Sequence, residues 1–138
     1  MRVESRMLTE PEMIAAFERV LQRLGLEPET CRESEDWWRF AVEGVDFQGG
    51  VHRADVRVLG TLCAMSESVD IDAVYEDLGQ AEGQGLARFM EADGYLYTSA
   101  RVGFAEVSEA TIEQQIRDCV ALAKSPAASS LKSKWRDW

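Results

Sequence analysis

The chain holds one histidine, three cysteines and three prolines in 138 residues, and each scarcity excludes a class of chemistry. A Ser/His/Asp hydrolase triad has only His52 to draw on. A zinc centre needs three or four Cys and His ligands at close spacing, whereas Cys31, Cys63 and Cys119 are scattered and form no C-x-x-C pair. An odd number of distant cysteines fits a reducing compartment rather than a disulfide framework. Long apolar runs are missing too. The longest, Val56 to Met65, is broken by Arg57, Gly60 and Thr61 and is too short to span a bilayer. No apolar run follows Met1 to Arg6, so no secretory signal is expected, and the chain reads as cytoplasmic, without integral membrane contact. Positive charge is scarce: 15 Lys and Arg stand against 25 Asp and Glu, a net charge of −10. Such a chain is poorly suited to neutralising nucleic-acid phosphates or anionic membrane surfaces. It suits a basic protein partner, or solubility alone.

What is present is an ordinary globular balance, 46% hydrophobic and 29% charged. The most regular stretch runs from Leu86 to Phe104 and reads as a β-hairpin turning at Asp93-Gly94. After the turn, Leu96, Thr98, Ala100, Val102 and Phe104 share one face, expected to enter the core. Tyr95, Tyr97, Ser99 and Arg101 share the other. Upstream, Thr9 and Glu12 form a capping box with Pro11 in the first turn. Met13, Ile14, Phe17, Val20, Leu21 and Leu24 then trace a helical stripe that ends at Gly25.

An acidic loop, Glu33 to Asp36, leads into an alternating strand, Trp37 to Val42, which turns at Glu43-Gly44 into Val45 to Gln48. Gly49-Gly50 is expected to turn the chain again. A third strand, Val51 to Val58, then places His52, Ala54, Val56 and Val58 on a buried face. Asp70 caps a short helix carrying Ile71, Val74, Tyr75 and Leu78, and Ser108 caps a long final one. The expected architecture is α+β: an antiparallel sheet of about five strands, a meander plus a hairpin, packed by the N- and C-terminal helices. Residues 1–124 form one domain. Residues 125–130 read as a flexible linker to a Trp-rich tail, 131–138.

Four sets of residues are candidates for function. His52 is a possible base, although a lone histidine on an apolar face more often completes a core. Asp70, Asp72, Glu76 and Asp77 could gather a metal or serve a small-ligand enzyme. They lack the central glycine and distal glutamate of a calcium loop, and carboxylates at a helix start answer the dipole alone. Trp37, Tyr95, Tyr97 and Arg101 lie opposite the expected core face, as a candidate partner surface. Leu131, Trp135 and Trp138, interleaved with Lys132, Lys134 and Arg136, form a second one, unless they fold back onto their own acidic domain. No catalytic, cofactor or metal site is assigned.

One resemblance joins these elements. Gly85-Leu86-Ala87-Arg88-Phe89-Met90, then Asp93-Gly94-Tyr95-Leu96-Tyr97, Ala100-Arg101-Val102-Gly103-Phe104 and the helix capped by Ser108 resemble the YbjN family and the related type III secretion chaperone-like fold. Leu24-Gly25-Leu26 closing the first helix is consistent with it. The resemblance covers most of residues 10–124 and leaves out the tail. It implies a small, acidic, cytoplasmic protein, often a homodimer, that binds a client or regulatory protein and has no catalytic residues.

Overall fold

Two tight reversals set most of the sheet. Glu43-Gly44 and Asp93-Gly94 each place two successive residues at positive φ (50° and 83°, 52° and 83°), the backbone that matches the right-handed twist of the strands they join. The computed structural model describes residues 8–53 and 55–136. In chain order the elements are α1 (Glu10–Arg23), α2 (Pro28–Cys31), β1 (Arg32–Ser34), β2 (Trp37–Val42), β3 (Val45–His52), β4 (Asp55–Ala64), α3 (Ile71–Gln80), β5 (Arg88–Ala92), β6 (Tyr95–Gly103), α4 (Glu109–Ala123) and α5 (Pro126–Trp135), with a 3₁₀ turn at Phe104–Glu106. The six strands form one open antiparallel sheet in the order β1-β2-β3-β4-β6-β5.

One face of the sheet is sealed. Trp38, Phe40, Phe47, Val51, Val56, Val58, Ala100 and Val102 are buried with Phe17, Val20 and Leu21 of α1 and Ile112, Ile116 and Cys119 of α4. Phe17 stacks on Trp38 at 4.9 Å between ring centroids and meets Phe40 edge-on at 6.0 Å. Burial pushes the Cys119 thiol up to about 12, and a nearby Thr98 hydroxyl only partly offsets this. The Gln115 amide, also buried, donates to the carbonyls of Val56 and Ala100 at 3.0 and 3.1 Å, tying α4 to two strands. At the surface, Arg19 and Arg23 both reach Glu109 at 2.7 Å and clamp α1 to the first turn of α4. The Arg19 hydrogen bond is the main reason that the Glu109 carboxyl lies below its ordinary range.

A second, smaller cluster lies on the same side, where Met65, Val74 and Leu96 are covered by Leu131 and Trp135 of α5. Phe89 of β5 packs against both clusters, and among the described residues it alone does so.

Four expectations are corrected. Gly49-Gly50 does not turn the chain, and β3 runs through both residues. A side chain at Gly50 would strike the Asp36 carbonyl, and a Cβ at Gly49 would lie 2.7 Å from the Arg57 carbonyl. The glycines permit close backbone approach rather than a reversal. His52 therefore ends β3 and is exposed rather than buried among Val56 and Val58. Phe104 leaves the strand for the 3₁₀ turn and is 44% exposed, outside the core. Residues 125–130 are not a flexible linker: Ser125 caps α5 by accepting from the Ala128 amide at 3.2 Å, and Pro126 occupies its first turn. The sheet also gains β1, a strand that no alternation marked.

Candidate functional site

Alternation along the strands that fill the core leaves a second set of side chains on the opposite face. Among the described residues no helix packs there. The strand register aligns this set in three rows. Trp37, Gly50, Arg57 and Arg101 form the first, Arg39, Gln48, Leu59, Ser99 and Arg88 the second, and Thr61, Tyr97 and Met90 lie in the third. Trp37 is half-buried and donates its indole N–H to the Gln48 side-chain oxygen at 3.3 Å, which lays the ring along the sheet. Tyr97 is half-buried and sits 6.2 Å from Tyr95, ring to ring. Burial, followed by the charge of Asp93, pushes the Tyr97 phenol up, so it remains a neutral donor at physiological pH. Arg57 and Arg101 both face Asp55, at 3.0 and 3.5 Å. A shallow cavity of about 480 Å³ opens between Trp37, Leu59, Met90 and Arg101.

The candidate residues therefore divide. Trp37, Tyr95, Tyr97 and Arg101 share this open face, Tyr95 at its hairpin end and 43% exposed. Leu131 and Trp135 do not join them. Both are buried in the second cluster, where the Trp135 indole donates to Asp77 at 2.9 Å and Lys134 pairs with the same carboxylate at 2.8 Å. The tail's apolar spacing found a face within its own chain, because α3 offers Val74 and the Asp77 charge. Trp138 lies outside the described residues. The four carboxylates of α3 do not converge. Asp70 accepts from the Asp72 amide as a helix cap at 3.1 Å, and Asp77 is occupied by α5. Among the described residues no three His, Cys, Asp or Glu side chains are gathered for a metal. His52 stands beside Asp55 in the register, at the rim of the open face.

Sequence reasoning did not name Arg57, Arg39 and Leu59 as candidates, although alternation places Arg39 on the same face as Trp37. Alternation had set Arg57 opposite Val56 and Val58, but the pairing of β4 with β6 that brings it against Arg101 is a long-range fact. Gly83 to Gly85, which lead into the hairpin, form a bonded turn. Gln84 and Ala87 exchange backbone hydrogen bonds at 3.0 and 2.9 Å, and Asp118 accepts from the Leu86 amide at 2.8 Å.

No protein-family model matches the chain, and no curated protein is similar to it in sequence. Solved structures are similar to it in fold. A chain of the ExoT–SpcS complex from Pseudomonas aeruginosa matches with a TM-score of 0.59 and 16% identity, over 84% of this chain and 97% of its own. A chain of the HopA1–SchA chaperone–effector complex gives 0.58 and 7%, over 80% and 88%. The complex of the Yersinia pestis type III secretion chaperone SycH with a fragment of YscM2 gives 0.50 and 13%, over 80% and 98%. The six-stranded open sheet with its helices is the α+β fold of type III secretion chaperones.

Proposed function

We propose that the chain is a non-enzymatic protein-binding module, chaperone-like or regulatory, that works in the cytoplasm as a homodimer and holds a segment of a client or regulatory protein on the open face of its sheet. One observation carries this reading: the sheet is sealed on one side and bare on the other, and the bare side carries Trp37, Tyr97, Leu59 and Met90, which are neither core nor ordinary solvated surface. The similar solved structures are complexes of chaperones with protein partners, which supports the same role. The hairpin residues Gly85 to Tyr97 support a finer version, a YbjN-like regulator. For the homodimer, β5 ends the sheet with only β6 beside it, and α3 exposes Ile71 and Tyr75. An isologous contact through that edge or helix would cover both.

A photoreactive benzoylphenylalanine at Tyr97, in the full chain and in native cytoplasm, tests the binding role. The expected result is a recurrent adduct with one segment of a partner polypeptide, lost when Trp37→Ala is added. Adducts with no protein, or adducts indifferent to Trp37, overturn it. Sedimentation tests the dimer: a mass of twice the 15.5 kDa chain is expected, and a strict monomer at working concentration refutes that part alone.

A further inference from the structure

Arg57 and Arg101 are direct partners across β4 and β6 and point to the same open face. Like charges directly opposite one another destabilise a sheet, and a single carboxylate, Asp55, serves both guanidiniums. Arg39 and Arg88 end the neighbouring row on the same face. Arg39 pairs with Glu33, while among the described residues Arg88 has no ion pair. Four arginines thus project from the strands of one face against three carboxylates, Glu33, Asp46 and Asp55, on a chain whose net charge is −10. Between them lies an apolar floor of Trp37, Leu59 and Met90.

We infer that this face takes an acidic segment of a partner protein, its carboxylates answering Arg57 and Arg101 and its interspersed apolar side chains lying over Trp37 and Leu59. This rests on the protein-binding reading above and names the partner's chemistry. A guanidinium binds a carboxylate in bidentate geometry. Two of them sharing one internal carboxylate leave donors for another, with Asp55 acting as a resident competitor. Strands are about 4.8 Å apart, so Trp37 to Arg101, three strands over, spans about 14 Å, the reach of four or five extended residues. Aromatic rings beside arginines also serve single-stranded nucleic acid. A strand with a charge at every nucleotide, however, meets the repulsion of the whole acidic chain, whereas a peptide offsets that repulsion by burying apolar side chains.

Fluorescence anisotropy on the full chain at low salt tests this, with a labelled peptide repeating Glu-Leu-Ser-Asp, its Lys-Leu-Ser-Lys counterpart, and an oligothymidylate. The acidic peptide is expected to bind in preference to both others. The Arg57→Gln/Arg101→Gln double variant is expected to weaken it at least about tenfold. The charge-matched Arg117→Gln/Lys124→Gln variant, in α4 and at its C-cap, leaves it unchanged, and Asp55→Asn tightens it. A preference for the lysine peptide or the oligothymidylate, or an affinity that the double variant does not move, overturns the inference. The Tyr97 adduct separates the two readings: a neutral or basic captured segment defeats this one and leaves the protein-binding role standing, whereas no protein adduct defeats both.

Discussion

At the scale of single residues, Arg101 is a misfit whose removal should strengthen the fold. It is 65% exposed, opposes Arg57 and, among the described residues, shares Arg57's one carboxylate partner, Asp55. Arg101→Thr removes a like-charge contact and substitutes a β-branched residue that suits a pleated surface. The expected gain is about 0.5 kcal/mol, read as a higher urea midpoint at unchanged slope, together with weaker binding of the acidic peptide. A loss of stability would mean that Arg101 is retained for the fold. This site was partly legible in the sequence. Alternation alone put Trp37, Tyr97 and Arg101 opposite the core, because a strand's side chains change face at every step. It could not pair Arg57 with Arg101, since register between distant strands is fixed by tertiary packing. For Leu131 and Trp135 the spacing was legible, and the acidity of the remaining chain favoured folding back onto it, as they do; an amphipathic stripe could not name α3 as the cover.

At the scale of elements, α5 is held through a small set of contacts that can be tested one by one. Its indole enters the second cluster at 8% exposure, its neighbour Lys134 pairs with Asp77, and the Ser66 amide donates to the Trp135 carbonyl at 3.1 Å. Trp135→Ala should cost about 3 kcal/mol in denaturant unfolding and speed amide exchange along α5 and at Ser66. The Lys134 hydrogen bond, more than that of the Trp135 indole, holds the Asp77 carboxyl below its ordinary value of 3.8, and desolvation opposes both. A carboxyl depressed in the folded state contributes stability above the unfolded value, and that contribution is lost as pH falls through the depressed one. Tryptophan fluorescence should therefore report loosening of α5 below about pH 4, and this transition should be absent in Asp77→Asn.

The sequence marked α1, α4 and both tight turns clearly, since their caps and turn residues act locally. It misplaced β3 because two adjacent glycines look alike whether they reverse a chain or admit a neighbouring backbone. It took Ser125 to Ser130 for a linker on composition, although Ser-Pro at a cap and first turn, followed by Ala128, Leu131 and Trp135, is also how a helix begins. Neither β1 nor α2 carried a local signal, being only three and four residues long.

At the scale of the whole molecule, the described helices that pack on the sheet lie on one side, and the bare face carries Arg39, Arg57, Arg88 and Arg101 on a chain that is acidic in sum. No helix among the described residues is long and apolar enough to cross a membrane. The two buried clusters differ in kind. The larger is cross-braced by aromatic stacking and by Gln115, whereas the smaller is assembled from α3, α5 and the ends of strands. Phe89 is the residue they share, and its consequence is cooperativity. While its ring touches both, opening the small cluster costs contacts in the large one, so the molecule is expected to unfold as a single unit. Phe89→Ala should split one calorimetric transition into two, with the α3–α5 unit melting first. A single transition, merely shifted, would place the coupling in the β-ladder instead.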